Sequence, residues 1–102
     1  MTELDPAGFA LEAERFAAHH GLDFSVESVG ALPDLPDDAA RIGAGCYVGE
    51  VLRRALGGTW RADGTLVGVG QVAETSPLAK ARAGEDLAGY VADVLRYAGE
   101  KR

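Results

Sequence analysis

The first pattern of apolar positions along the chain has helical spacing. Five residues recur at intervals of three and four and so share one helical face: Phe9, Ala13, Phe16, Ala17 and His20. Asp5 followed by Pro6 is a typical helix start, and Gly21 is a typical helix stop. The sequence therefore predicts a first helix over residues 6–20.

The next segment, residues 22–29, fits two kinds of structure. Apolar and polar residues alternate at its start, which is typical of a strand. A short helix capped by Ser25 fits as well, because three apolar residues would then share a face: Val26, Val29 and Leu32. The pattern leaves both open and predicts that Pro33 and Pro36 end regular structure.

A central helix is predicted over residues 38–56, with Asp37 or Asp38 as its cap and Gly57-Gly58 as its stop. Apolar residues fill an arc slightly wider than half of this helix. The opposite arc, predicted to be the polar face, contains Gly43, Cys46, Tyr47, Glu50, Arg53 and Arg54. Gly45 and Gly49 lie on the apolar arc, which indicates that another element packs closely there.

A small antiparallel meander and two helices follow. The meander has strands predicted at residues 59–61, 65–69 and 71–74, with a hairpin turn at Asp63-Gly64. Ser76-Pro77 predicts a helix that ends at Gly84. The last predicted helix spans residues 85–98, with an apolar face formed by Leu87, Val91, Val94, Leu95 and Ala98. This order of three helices, a meander and two helices predicts a single α+β domain over residues 1–102.

Charge and cysteine content narrow the class of protein. The net charge is −6, which argues against nucleic acid and anionic membranes as partners. Residues 1–40 contain nine acidic residues and one basic residue, a net of −8, whereas residues 41–102 contain seven acidic and nine basic residues, a net of +2. The lone Cys46 and the lack of a signal-like or membrane-spanning segment predict a cytoplasmic protein. The sequence leaves the oligomeric state open.

Two short motifs resemble a known family. The sequence YVGE at residues 47–50 and, six residues later, GGTW at residues 57–60 are similar to a Y-x-G-E…G-G-x-W signature. That signature is typical of a family of small, uncharacterised bacterial proteins, or domain of unknown function. Residues 22–29 and 77–87 also resemble the family, so the similarity covers residues 20–98. The resemblance implies an α+β fold and a helix rather than a strand after Ser25, and it implies no activity.

Glu50 is the best single candidate for chemistry. Arg53 and Arg54 follow it by three and four residues, and Tyr47 precedes it by three. Such a cluster suits a polar ligand or a basic group of a partner, although an ordinary surface ion pair or a structural cap near Trp60 is the more common explanation. Trp60 is interpreted as a core anchor or as a half-exposed binding aromatic.

Other candidate motifs do not have the context that their chemistry needs. His19 and His20 point about 100° apart on a helix, so they form no natural metal site. Cys46 lies inside a helix, where no thiolate is stabilised. Residues 68–73 match the letters G-x-G-x-x-A, but Pro77 leaves no room for the crossover helix of a dinucleotide site. No catalytic residue, metal or cofactor is therefore predicted.

The sequence favours a non-catalytic, immunity-like or regulatory interaction module that docks a basic protein partner on its acidic first half. The alternative hypothesis is a small-ligand binder or minor enzyme with a cleft between the central helix and the meander. In either case the predicted binding residues are Tyr47, Glu50, Arg54 and Trp60.

Overall fold

The computed structural model of the protein describes residues 6–32, 35, 37–70 and 72–100. It contains the α-helices α1 (Pro6–His20), α2 (Asp38–Leu56), α3 (Pro77–Arg82) and α4 (Leu87–Glu100), and the strands β1 (Thr59–Trp60), β2 (Leu66–Val69) and β3 (Val72–Thr75). The α+β class is confirmed. The second predicted N-terminal helix is a five-residue 3₁₀ helix, Glu27–Ala31, so the described residues form four α-helices rather than five.

Helix α1 packs on the core through the predicted face. Its buried side chains are Phe9, Ala13, Phe16 and Ala17. His20 was predicted to share this face but is exposed, because it is the last helical residue; its ring lies against Phe16 with the centroids 4.5 Å apart. The predicted cap, Asp5, lies outside the described residues.

The ambiguous segment after α1 takes the helical alternative. Ser25 Oγ accepts a hydrogen bond from the Ser28 N–H at 3.2 Å, but the N-cap of the 3₁₀ helix is Val26 rather than the predicted Ser25. Val29 is buried in the resulting 3₁₀ helix, and this helix contacts α4. Pro33 and Pro36, the predicted end of regular structure, lie outside the described residues.

Helix α2 has the predicted ends. Asp37 caps it by accepting from the Ala40 N–H at 2.8 Å, and Gly57, at φ +86°, donates its N–H to the Arg53 carbonyl at 2.8 Å. The predicted polar face is wrong for four of its six residues: Gly43, Cys46, Tyr47 and Glu50 are buried, because α2 contacts α1, α3, α4 and β2. Over residues 43–52 the helix has no solvent face on which to place polar residues, whereas Arg53 and Arg54 in its last turn keep about two fifths of their side chains exposed.

The three strands form an antiparallel sheet with β2 in the centre. Leu66 in β2 pairs with Trp60 on one side and with Thr75 on the other. The predicted turn at Asp63-Gly64 is confirmed within the β1–β2 loop, where Asp63 Oδ1 accepts from the Thr65 N–H at 3.0 Å. Gln71, predicted to begin the third strand, lies outside the described residues.

The two C-terminal helices complete the core. Ser76 precedes α3 without a side-chain capping bond, so Pro77 alone carries the predicted start signal. Helix α4 buries Leu87, Val91 and Val94 as predicted, with Leu95 partly buried; nothing is described for the Ala98 side chain. No helix among the described residues combines the length and the apolar character that crossing a membrane requires.

Candidate functional site

A buried carboxylate, Glu50, lies at the centre of the predicted site. Its side chain is 0% exposed, and it is the one charged side chain in the buried class among the described residues. Helix α2 places Arg53 and Arg54 one turn after Glu50, and the Gly57-Gly58 segment turns the chain back so that Trp60 of β1 reaches the same carboxylate. The predicted helix face therefore becomes an internal polar cluster.

Four donors saturate the two oxygens of Glu50. Oε2 accepts from Arg53 Nε at 2.6 Å and from the Trp60 indole Nε1 at 2.8 Å. Oε1 accepts from Arg53 Nη2 at 2.9 Å and from Arg54 Nε at 3.3 Å. A carboxylate offers about four acceptor positions, so no strong acceptor position is left for a ligand. Arg53 forms a two-bond bridge, which is the geometry that favours arginine over lysine.

The charge state of Glu50 follows from these contacts. Burial raises the pKa of Glu50, but the hydrogen bonds from Arg53 and Trp60, the charge of Arg53 and the hydrogen bond from Arg54 outweigh burial. The pKa of Glu50 is therefore held below its ordinary value, and the hydrogen bond to Glu50, together with its charge, raises the pKa of Arg53. Glu50 is an ionised, fully bonded group at neutral pH, and it is not a poised general acid.

Trp60 is a core residue, 4% exposed, as the first of its two interpretations predicts. Its ring stacks on Phe9 of α1 with the centroids 4.8 Å apart. The ring also lies directly on the backbone of α2: a Cβ at Gly49 would be 2.2 Å from Trp60 Cη2 and 2.4 Å from Cζ2. Only glycine fits at this position, which confirms the close approach predicted from Gly49 on the apolar arc.

Tyr47 connects the segment after α1 to the Glu50 cluster through hydrogen bonds. It is completely buried, and its hydroxyl accepts a hydrogen bond from the Phe24 N–H at 2.9 Å and shares another with Ser28 Oγ. Phe24 has φ +63°, the one positive φ of a non-glycine residue in the described chain. The guanidinium carbon of Arg54 lies 3.7 Å from the centroid of the Phe24 ring.

The four residues predicted to bind a ligand or partner form one connected group. Glu50 contacts Trp60 and Arg54 directly, and Arg54 reaches Tyr47 through Phe24. Of the four, only Arg54 keeps substantial exposure, with 40% of its side chain accessible, because the other three are buried. The cluster is thus mainly internal, with one cationic edge at the surface.

Phe24 is the part of this cluster that the sequence reasoning missed. The alternation around residues 22–29 suggested only that Phe24 is apolar, and a positive φ is not readable at a residue other than glycine. One signal in the sequence points to the place of Phe24 in the cluster. Phe24 follows the helix-stopping Gly21 by three residues, and the neighbouring helix carries a tyrosine and an arginine.

Two open grooves lie away from the Glu50 cluster. One, of about 620 Å³, runs between α1 and α2 and is lined by Glu12, Arg15, Phe16, His19, His20, Leu35, Ala39, Ala40 and Gly43. The other, of about 730 Å³, lies between β3 and α4 and is lined by Val72, Ala73, Glu74, Asp93, Val94, Arg96 and Tyr97. Neither groove is lined by Tyr47, Glu50, Arg54 or Trp60.

Metal-ligating groups are not clustered in the part of the chain that the structure describes. No three histidine, cysteine, aspartate or glutamate side chains among those residues are placed to hold a metal ion. Cys46 is buried, and burial, with smaller contributions from the charges of Glu12 and Glu50, raises the pKa of its thiol to about 12. The thiol is therefore neutral at physiological pH.

Comparison of the chain with protein-family models, with curated proteins and with solved structures found no match in any of the three.

Proposed function

We propose that the protein is a non-catalytic, immunity-like or regulatory interaction module of the cytoplasm. In this proposal the acidic first half of the chain docks a basic protein partner. The observation that carries the proposal is the hydrogen bonding of Glu50. This residue is the best suited to chemistry, yet its carboxylate already accepts four hydrogen bonds from other residues of the fold. We also propose, on the tetrapeptides at residues 47–50 and 57–60, membership of the Y-x-G-E…G-G-x-W family.

The groove between α1 and α2 is the proposed docking place. Every residue that lines it belongs to the segment 12–43, most of which lies in the acidic half of the chain. Its floor is apolar, with Phe16 and Gly43 in contact across the two helices. The lining contains one carboxylate, Glu12, which pairs with Arg15 at 3.1 Å. Further exposed carboxylates occur on the same stretch of chain, at Glu14 and Glu27. An apolar groove on the stretch that carries most of the acidic charge suits a basic partner segment with an apolar side chain.

The test is the salt-dependent binding of a lysine-rich peptide to two variants that lose the same charge. One variant carries Glu12→Gln, Glu14→Gln and Glu27→Gln; its control carries changes in the second half of the chain, Glu74→Gln, Glu85→Gln and Asp93→Asn. We expect the first variant to bind the peptide about tenfold more weakly, and the control to change much less. Equal weakening of both variants would show a non-specific charge effect and defeat the proposal.

The second candidate function is a small-ligand binder or minor enzyme that uses the surroundings of Glu50 and Trp60. The meeting of Tyr47, Glu50, Arg54 and Trp60 in one cluster favours it, whereas the burial of Glu50 and Trp60 disfavours it. A metabolite screen by thermal shift discriminates between the two functions. A compound that raises the melting temperature of the wild type but not of Arg54→Gln supports the second function, and a screen without such a compound removes it.

A further inference from the structure

The Glu50 cluster carries more positive charge than its carboxylate needs. Arg53 alone forms a two-bond bridge to Glu50, and this bridge is sufficient to neutralise the buried charge. Arg54 adds a second guanidinium through a single longer bond of 3.3 Å from its Nε. One carboxylate and two guanidinium groups leave a net charge of +1, and this excess lies where the cluster reaches the surface.

The outward-facing donors of the two arginines are available. Arg54 uses only Nε on Glu50, and its Nη1 and Nη2 atoms donate to no acceptor among the described residues. Arg53 likewise has no described acceptor at Nη1. About two fifths of each side chain is accessible, 39% for Arg53 and 40% for Arg54. Three terminal nitrogens are therefore without an acceptor in the described part of the chain: Nη1 of Arg53 and Nη1 and Nη2 of Arg54.

The direction of Arg54 is fixed from two sides. Glu50 holds its Nε, and the Phe24 ring supports the flat face of the guanidinium at 3.7 Å. Phe24 holds this place in a left-handed backbone conformation that is unfavourable for a phenylalanine, and the Tyr47 hydroxyl secures its N–H. An arginine that is already ordered loses less conformational entropy when it binds an anion.

We propose that Arg53 and Arg54 form a docking site for a carboxylate of an acidic segment of a protein partner. The net charge of +1 matches a single carboxylate, and the Nη1/Nη2 edge of Arg54 has the spacing that binds two carboxylate oxygens. Arg53 and Arg54 line neither of the two grooves described above, and about two fifths of each side chain is exposed, so a carboxylate presented by a protein partner can reach them. The two arginines are positively charged, although Phe24, which supports Arg54, belongs to the acidic first half of the chain.

The test is an NMR titration of the intact protein that follows the side-chain Nε–H signals of Arg53 and Arg54. The probes are an acetylated peptide rich in glutamate, free glutarate and inorganic phosphate. We expect the peptide to shift both signals and to bind at least about tenfold more tightly than glutarate or phosphate. Absence of peptide binding overturns the site. Glutarate binding as tight as that of the peptide overturns the protein-partner assignment, and tighter binding of phosphate overturns the assignment to a carboxylate.

Three variants separate the site from general charge. Arg54→Gln removes the Nη1/Nη2 edge of the guanidinium, and we expect it to weaken peptide binding about tenfold. The control is Arg96→Gln, which removes an equally charged arginine whose ion-pair partner among the described residues is Asp93, and we expect less than about a twofold change. Arg54→Lys keeps the charge but not the fork and is expected to bind weakly as well. Equal effects of Arg54→Gln and Arg96→Gln would refute the site.

Circular dichroism and the melting temperature show whether each variant is folded. If Arg54→Gln unfolds, Phe24→Leu is tested in its place. This variant removes the ring beneath Arg54 and leaves both arginines in place, and we expect it to weaken peptide binding as well. The probe here is acidic, whereas the probe for the acidic half is rich in lysine. Failure of one proposal is therefore distinguishable from failure of the other.

Discussion

Replacing Glu50 by glutamine tests whether the buried cluster holds the fold together. The substitution keeps the shape of the side chain but turns one acceptor oxygen into an NH₂ group. Each oxygen of Glu50 accepts two hydrogen bonds. Replacing either oxygen by NH₂ therefore leaves two N–H donors opposite a group that is itself a donor. Breaking a buried ion pair from one side costs about 3–5 kcal/mol.

The lower end of that range applies to Glu50→Gln. About two fifths of the Arg53 and Arg54 side chains is exposed, so both regain water when the carboxylate is lost. We therefore expect a loss of about 3 kcal/mol in the free energy of unfolding, a large part of the roughly 5–15 kcal/mol of a typical domain. For a chain of this length the melting temperature should fall by roughly 12–20 °C.

Urea denaturation followed by circular dichroism measures this loss, with Glu74→Gln as the matched control. Glu74 pairs with Arg61 at 3.4 Å, and more than half of each side chain is exposed, so the control should lose less than about 0.5 kcal/mol. A loss below about 1 kcal/mol for Glu50→Gln would refute the structural role.

The same pair of proteins predicts a dependence on pH. Because the folded protein holds the pKa of Glu50 below its ordinary value, the stabilisation by Glu50 is fully present above the unfolded pKa of about 4.3. It is lost as the pH falls through the lower folded pKa. The difference in stability between wild type and Glu50→Gln should therefore shrink below about pH 4, and an unchanged difference at pH 3 would contradict this assignment.

Three further substitutions or reactions test the packing around the cluster. Gly49→Ala should cost about 2 kcal/mol by forcing Trp60 aside, whereas Gly30→Ala, with open space around its Cβ, should change stability by less than about 0.5 kcal/mol in the same urea assay. Tyr47→Phe leaves the Phe24 N–H without its acceptor; we expect a loss of about 1–2 kcal/mol and faster hydrogen exchange at that amide, and unchanged exchange would contradict it. Cys46 should resist a thiol-specific reagent at pH 8 until the protein is unfolded, and rapid labelling of the folded protein would show that it is accessible.

Local signals in the sequence predicted both ends of α2, whereas α4 begins and ends two residues later than predicted. Asp37 and Gly57 determine the limits of α2 through bonds within one turn of the helix, so a short stretch of sequence contains the information. The α+β class followed from the same kind of signal, because the positions of helices and strands determine it.

The surroundings of α2 were not predictable from its own residues. Its apolar arc is only slightly wider than half, and on a surface helix Glu50 would have faced water. The structure instead buries Glu50 because Trp60 and two arginines satisfy it, and this depends on contacts between segments. The sequence predicted that these residues lie together, but it did not predict that Glu50 is buried.

The segment after α1 shows a second limit. Alternation of residues 22–29 fitted a strand, and neither the backbone conformation of Phe24 nor its bond to Tyr47 has a local signature. The 3₁₀ helix that follows is too short to have a periodicity of its own. Tertiary contacts therefore decide this segment.

Trp60 is also an intrinsic fluorescent probe of how α1 and the sheet pack on α2. It is the single tryptophan of the chain, and it contacts Phe9 of α1, the backbone of α2 at Gly49 and the Glu50 carboxylate. Its fluorescence therefore senses the docking of the first helix and of the sheet onto the central helix at once. If α1 detached while the remainder stayed folded, the emission would shift towards the red before the helical circular dichroism signal of α2 was lost. Comparison of the two signals therefore resolves the order in which these layers separate, without an added dye.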